Sequence, residues 1–575
     1  MKAFYNVVLA SILVVGAAYA GDADSATASD LDQLKAKLAA QQAQIEQLRQ
    51  ILADQAAALE KLEAKGKPAG PQFPSSGQVA STTPVVPPLP DPKPSPFAAV
   101  PPSPVVPPSP VVPPIPQAQT AQTAATNPCE ANPEGQTPTF IRLGSTCLIP
   151  IGFMDLTAVW RDKNAGSGMG SNFGSVPFNN TVNGNLAEFR FTPQNSRIGF
   201  RFDGDWKGTH FIGYNEFDFN GTSGSNGIAA SNGAFVPRLR LFWVDVRKGP
   251  IEFLAGQSWS LLTPNRVGLS ALPGNLFYTQ DVDINYNTGL TWTRQPGMRV
   301  LFHPSNKVTF GMSFENPDQY AGGSAGGSTI TYPAAFASYA NAQLDISQNV
   351  SAGQNILNQP TVHPDIIAKL AFDPSSRFHF EVGGIERDFK VVNPSLLSQH
   401  FSKTGAGGIV GANAEIFKNF RLITTNYWSD GGGRYLFGQA PDVVVRSNGS
   451  LSTVHSGGTV DGFEARVVPS LLLYAYYGAY YIGRNTGLDA NGTTKIGYGY
   501  TGSPNSQNRV INEITFGFNQ TIWASPRYGA INAMGQYEWL ERDPWYVAVG
   551  QPKNTHDNTI YFNLRYTLPG NMPNF

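Results

Sequence analysis

From Thr139 to Leu568 large apolar residues alternate with polar or small ones in one short run after another. Ile198, Phe200 and Phe202 alternate with Arg197, Gly199, Arg201 and Asp203. Val308, Phe310, Met312 and Phe314 alternate with Thr309, Gly311, Ser313 and Glu315. Near the end, Ile560, Phe562, Leu564, Tyr566 and Leu568 oppose Thr559, Tyr561, Asn563, Arg565 and Thr567. Successive residues of a strand point to opposite faces, so a period of two predicts strands with one apolar and one polar face. No segment of the exported chain is apolar enough for a spanning helix. A soluble sandwich also alternates, but it rarely needs so many long strands with glycine on the polar side. A membrane barrel turns the apolar face to lipid and the polar face to water. At roughly 25 to 27 residues per strand and connection, the tract predicts an all-β, transmembrane antiparallel barrel of about 16 strands, with 18 the neighbouring even number. That width encloses an aqueous channel.

The N-terminus reads as an export signal over residues 1–20. Lys2 precedes an apolar run from Val7 to Ala18, too short to cross a bilayer, and Ala18-Tyr19-Ala20 has the small-x-small form of a cleavage site. After a short segment, 21–29, residues 30–65 carry a heptad. Leu31, Leu34, Leu38, Gln41, Ile45, Leu48, Leu52, Gln55, Leu59 and Leu62 are spaced three and four apart without a slip. This predicts a coiled coil whose apolar positions, Leu31, Leu34, Leu38, Ile45, Leu48, Leu52, Leu59 and Leu62, join copies of the chain. The heptads alone leave dimer and trimer open, and a lone surface helix is the alternative. Residues 66–138 are proline-rich, with Pro-Pro-Ser-Pro-Val-Val repeated from Pro101 and from Pro107. Proline fixes φ and removes donors, so this segment predicts an extended polyproline spacer. The fifth part, 139–575, is the barrel.

Cys129 and Cys147 are the two cysteines. An exported chain meets an oxidising compartment, and the pair is expected to form a disulfide that staples the linker to the first strand. Two thiols without a neighbouring histidine make an incomplete zinc site, so no metal is expected. Connections such as Pro304-Ser305-Asn306, Asp373-Pro374-Ser375-Ser376 and Lys418-Asn419 read as periplasmic turns, and Ala321–Pro360 as a long external loop. Trp160, Trp243, Trp292, Trp428, Tyr480, Tyr481, Trp523 and Trp539 are candidates for the aromatic girdles. Leu471–Ile482 departs from the pattern by being apolar on both faces, as befits a strand packed on a neighbouring barrel or covered from inside by a loop.

Several stretches resemble the DcaP-like outer-membrane porins: Arg238-Leu239-Arg240-Leu241-Phe242-Trp243-Val244, Phe253-Leu254-Ala255-Gly256-Gln257-Ser258-Trp259-Ser260, Asp281-Val282-Asp283 and Thr291-Trp292-Thr293-Arg294-Gln295-Pro296. Phe314-Glu315-Asn316-Pro317 and Gly431-Gly432-Gly433-Arg434-Tyr435 are similar as well. The resemblance implies a homotrimer of 16-stranded channels, some with a periplasmic coiled coil, that pass anionic solutes such as dicarboxylates. It also implies that the third loop, between Ser260 and Asp281, folds inward. Two features depart from it: the last strand should end before Pro569 and Gly570, leaving a tail to Phe575, and the proline-rich spacer is unusually long.

Charge balance does not select the solute, because residues from Thr139 onward carry 32 basic and 30 acidic side chains. Arginine outnumbers lysine there by 22 to 10, and arginine stays charged and can hold a carboxylate in a bidentate pair. By parity Arg197, Arg201, Arg238, Arg240, Arg299, Lys369, Arg466 and Arg565 should line the pore, either as an anion-attracting ladder or as partners of inward acids such as Asp203 and Glu464. Arg294 falls at a rim. Histidines are scattered without metal or nucleophile spacing, so neither an enzyme nor a cofactor is expected. The expectation is a passive outer-membrane porin for small anionic solutes, with its N-terminal region in the periplasm, its partners lipid, solute and other copies of itself, and no nucleic acid. The rival is an envelope tether in which coiled coil and barrel link the outer membrane to the cell wall.

Overall fold

The computed structural model describes residues 140–164, 169–170, 173–221, 235–272, 277, 287–317, 330–341, 363–436, 440–525 and 527–569. The export signal, the heptad leucines, the proline-rich linker and Cys129 lie outside the described residues. Cys147 is wholly buried in the first barrel strand.

Sixteen strands close into one antiparallel barrel. In chain order they are β1 (Thr146–Arg161), β2 (Glu188–Thr192 continued by Arg197–Trp206), β3 (Thr209–Gly221), β4 (Val236–Lys248), β5 (Ile251–Trp259), β6 (Arg294–Ser305), β7 (Val308–Glu315) and β8 (Asp365–Ser375). The remaining eight are β9 (Phe378–Asn393), β10 (Leu396–Phe417), β11 (Phe420–Asp430), β12 (His455–Val468), β13 (Leu471–Ile482), β14 (Asn508–Ser525), β15 (Gly529–Pro544) and β16 (Thr555–Thr567). Each pairs with its sequence neighbours. Closure is made by β1, which pairs with both segments of β2 on one side and with β16 on the other, from Phe153 opposite Thr567 to Arg161 opposite Thr559. A short strand, Ile141–Leu143, folds back on the start of β1 where β16 has ended. Closure leaves no open edge, which is what a sheet needs where no water can satisfy its backbone.

The two ends of the barrel differ. At one end adjacent strands are joined by two or three residues, as at Lys207-Gly208, Asn306-Lys307, Ser376-Arg377 and Lys418-Asn419. Lys207, Gly208 and Asn419 take positive φ there, the geometry of tight hairpins whose twist matches the strands. At the other end the connections are long, apart from Pro394-Ser395 between β9 and β10, and two of them carry small hairpins of their own, Val443–Val445 with Leu451–Thr453 and Asn485–Leu488 with Lys495–Tyr498. The short turns fall at the connections expected from sequence.

Burial inverts the usual order. Ile198, Phe200, Phe202, Phe310, Phe372, Phe516, Ile560, Phe562 and Leu564 are exposed, while Arg201, Asp203, Lys369, Glu381, Glu513 and Glu538 are buried. Arg201 and Phe202 are neighbours on one strand, so the polar face is the inside of the closed sheet. An apolar exterior of this extent is stable only against a non-aqueous solvent. Among the described residues no helix is long and apolar enough to cross a membrane, and the crossings are strands.

The girdle expectation needs correction. Trp160, Trp428 and Trp523 are exposed on the exterior, but Trp243, Trp292 and Tyr480 are buried. Trp243 stacks on Tyr214 and Trp292 on Trp259, with ring centroids 5.2 and 3.9 Å apart. Trp243 faces inward because a bulge at Arg240 puts Arg240 and Leu241 on the same face and reverses the parity beyond it, and Trp292 lies in an inward loop rather than on the wall.

Candidate permeation constriction

Between β5 and β6 the described residues, 260–272, 277 and 287–293, turn into the barrel and are bound to its inner wall by carboxylates. The Leu261 N–H donates to Glu315 Oε1 on β7 (2.8 Å). The Asn265 N–H donates to Glu381 on β9 (3.2 Å to Oε2), and the Gly268 N–H to Asp373 Oδ2 on β8 (3.0 Å). Arg266 pairs with Glu464 on β12. Farther along, the Thr288 N–H donates to Glu513 Oε2 on β14 (2.7 Å), and Asn287 Nδ2 donates to Oε1 of the same residue (2.9 Å). Lys369 donates to the Thr263 carbonyl (2.8 Å) while pairing with Glu381 (3.0 Å). Charged acceptors make strong bonds to backbone N–H groups, so the loop is fixed at points spread across half the circumference.

Close approach completes the seat. Gly478 on β13 lies under Asn287 and Thr288, and Gly289 of the loop lies against β12 and β13. A Cβ on Gly478 would stand 2.1 Å from the Thr288 carbonyl oxygen, and one on Gly289 would stand 2.3 Å from that of Ala479. Phe277 meets Tyr476 edge to face at 5.1 Å. These contacts explain why Leu471–Ile482 is apolar on both faces: Tyr474, Tyr476 and Tyr480 are buried on the inside, where the loop covers this part of the wall.

A second inward segment, between β11 and β12, locks the first. Arg387 Nε lies 2.9 Å from Asp365 and its Nη1 2.8 Å from Asp442. Tyr435 donates to Asp365 Oδ2 (2.9 Å), Arg434 Nη2 donates to Gln295 Oε1 (2.8 Å), and the Trp292 N–H donates to the Tyr435 carbonyl (3.3 Å). Gly431-Gly432-Gly433-Arg434-Tyr435, a turn by sequence, is the root of this lock.

The described hydrogen bonds and ion pairs of the third loop to the wall fall between β7 and β14. On β2–β4 stands an arginine cluster. Arg240 Nε lies 2.7 Å from Glu216 Oε1 and its Nη1 2.7 Å from Asp218 Oδ2. Arg238 grips Asp218 with Nε at 3.0 Å and Nη2 at 2.6 Å. Arg197 Nη1 lies 3.4 Å from Glu216 Oε1. Arg294, expected at a rim, acts on Asp218 through its charge and lies over the Trp259 ring at 5.6 Å. On β2–β4 three guanidiniums, Arg197, Arg238 and Arg240, thus converge on two carboxylates, Glu216 and Asp218, with Arg294 of β6 beside them.

No family model matches the chain, and no curated protein matches it either. Among solved structures, the outer membrane channel DcaP of Acinetobacter baumannii superposes with a TM-score of 0.53 at 18% identity, covering 75% of this chain and 99% of that one. The barrel has the DcaP-like porin fold. OmpF of Salmonella typhi in complex with daunomycin gives a TM-score of 0.42 at 10% identity over 75% of this chain and 100% of that chain. An anion-selective porin from Comamonas acidovorans gives 0.40 at 13% identity, over 73% and 99%.

In this DcaP-like barrel the eight cationic positions expected from sequence divide by role. Arg197, Arg238 and Arg240 converge on Glu216 and Asp218. Arg201 pairs with Asp203 (2.5 Å) and Arg565 with Asp155 (2.7 Å), and Arg197 and Arg565 both lie over the Phe153 ring. Lys369 serves the third loop instead, through the Thr263 carbonyl, and Arg299 donates to Ser258 Oγ (2.8 Å) and to the Trp259 carbonyl at the end of β5. Arg466 stands apart at the short-turn end, donating to the Pro469 carbonyl (3.2 Å). Six of the eight have carboxylate partners. Sequence reading missed Arg387, Glu513 and Asp442, whose partners lie up to 226 positions away. Glu513 shares the inward face of its strand, but nothing local announces a loop above it.

Proposed function

We propose that this chain is an outer-membrane porin through which small hydrophilic anions, dicarboxylates among them, diffuse passively. The observation that carries the reading is the convergence of Arg197, Arg238 and Arg240 on the inner wall at β2–β4. In a narrow, low-dielectric throat a fixed charge of one sign raises the local concentration of the opposite ion. Among Arg197, Arg238 and Arg240, Arg238 is the most accessible, its side chain 21% exposed against 12% and 0%, and it is the group a passing carboxylate meets. Because Glu216 and Asp218 already occupy part of each guanidinium, a solute exchanges into the site without being held. Conduction needs that balance.

The long-loop end faces outside and the short-turn end the periplasm, where the N-terminal region lies. Three copies assemble, held by the heptad leucines and by the barrels' apolar exteriors. A barrel whose shape is that of porins and whose exterior is apolar supports the membrane assignment. Proteoliposome swelling tests the solute class: succinate should enter faster than an uncharged solute of its size, and a diamine of that size more slowly. Equal rates for all three would remove the anion preference while leaving the pore.

A further inference from the structure

On the barrel exterior at the long-loop end, Arg484 and Arg509 flank Trp545. Arg484 Cζ lies 4.3 Å and Arg509 Cζ 6.0 Å from the Trp545 ring. Tyr481 meets the same indole edge-on at 6.0 Å. The ring is fixed in place: Trp545 Nε1 donates to the Ile482 carbonyl (2.9 Å), and its backbone N–H donates to the Gln507 carbonyl (2.9 Å). Gln507, wholly buried, accepts the Gly499 N–H. Gly499 has φ +79°, and a Cβ on it would stand 2.8 Å from the Trp545 ring and 2.9 Å from the Arg484 side chain, so the loop backbone closes over both.

The height of this cluster follows from register. On β14 the outward apolar run extends from Ile514 through Phe516 to Ile522 and Trp523. Ten residues of a strand tilted by about 40° span about 25 Å, the height of a barrel's lipid-facing band. Above Ile514 the outward face turns polar, with Tyr477 donating to Asn512 Oδ1 (3.1 Å). Tyr481, Val510 and Asp543 are the register partners at the next level, roughly 10 Å above Ile514 along the normal. That is the depth of lipid headgroups. Arg509 is bulged out of its strand there and is 46% exposed. It pairs with Asp543, which leaves the cluster one positive charge in excess. Among the described residues Arg484 has no carboxylate partner.

We propose that the Arg484–Trp545–Arg509 stack binds the phosphate of an outer-leaflet lipid headgroup, with the lipid's chains lying along Ile514 and Phe516. The planar guanidinium forks can grip phosphate oxygens, the indole holds them in the interface, and the apolar wall below supplies the rest of the affinity. The proposal rests on the barrel's place in an outer membrane but not on its solute preference.

The test is native mass spectrometry of the full-length protein, extracted in non-ionic detergent, with diphosphoryl lipid A, phosphatidylethanolamine or inorganic phosphate. The protein should retain lipid A in preference to phosphatidylethanolamine. Arg484→Ala with Arg509→Ala should weaken that retention roughly tenfold, the loss expected for charge-assisted contacts. Heat-modifiable migration and conductance should stay unchanged, which separates a lost site from a failed barrel. Trp545→Leu should weaken retention with both arginines in place. Equal lipid A retention by the double variant would overturn the proposal. So would displacement of the lipid by inorganic phosphate, which would mark a free-phosphate site.

Discussion

Arg240 Nε lies 2.7 Å from Glu216 Oε1 with the Arg240 side chain wholly enclosed. A buried guanidinium of this kind costs desolvation, and the bonds to Glu216 and Asp218 offset it only when the geometry is good. The wall of the channel is therefore stiffened by the same residue types that give it its charge. Arg240→Ala leaves two carboxylates short of a partner and should destabilise the barrel by about 3 kcal/mol, read as a lower midpoint in urea unfolding in detergent. Arg238→Ala, at a more accessible position, should cost less stability and more anion selectivity.

Glu513 binds the third loop through the Thr288 N–H and the Asn287 amide, and β12–β14 accept the loop only because Gly289 and Gly478 have no Cβ. Glu513→Ala removes both bonds and should free that part of the loop, raising single-channel conductance and current noise. Gly478→Val forces the loop off the wall by steric means and should do the same, with intact heat-modifiable migration as the control.

The exterior makes the opposite demand. Phe310 on β7 is 45% exposed between buried Thr309 and the inward Gly311. Phe310→Arg should cost about 2–4 kcal/mol if that position sits near the middle of the bilayer, measured by reversible unfolding in lipid vesicles. Thr309→Arg, one residue away but inside, should act through crowding of the lumen and lower conductance instead.

The alternation of apolar and polar residues was enough to read the barrel, its strand number and its short turns, because strand parity is a local property. Leu471–Ile482 was legible as an exception, and Phe277 with Asn287 and Thr288 supplies the reason. Long-range pairings were not legible. Arg387 reaches Asp442 in a loop 55 positions on, and no spacing rule connects them. Trp243 and Trp292 were placed in the lipid girdle because indole is common there, whereas their partners, Tyr214 and Trp259, are inside the barrel. The inward arginines and a pairing with Asp203 are legible from parity, but the pairing with Glu216, Asp218 and Asp155 needs the fold.

Removal of residues 30–128, the heptad run and most of the proline-rich linker, separates the porin from the tether. A porin should keep its per-barrel conductance after the deletion. A chain whose main work is tethering should instead leave cells with a leaky or blebbing envelope at unchanged barrel conductance.

The most direct measurement is the reversal potential of the purified protein in a planar bilayer under a potassium chloride gradient, repeated with Arg238→Glu. The wild type should conduct in ohmic steps grouped in threes, with a reversal potential of the sign that marks chloride preference. Arg238→Glu should move that potential toward zero or beyond. A cation-selective wild type, or a potential that the substitution does not move, would contradict the assignment of solute preference to the arginine cluster on β2–β4.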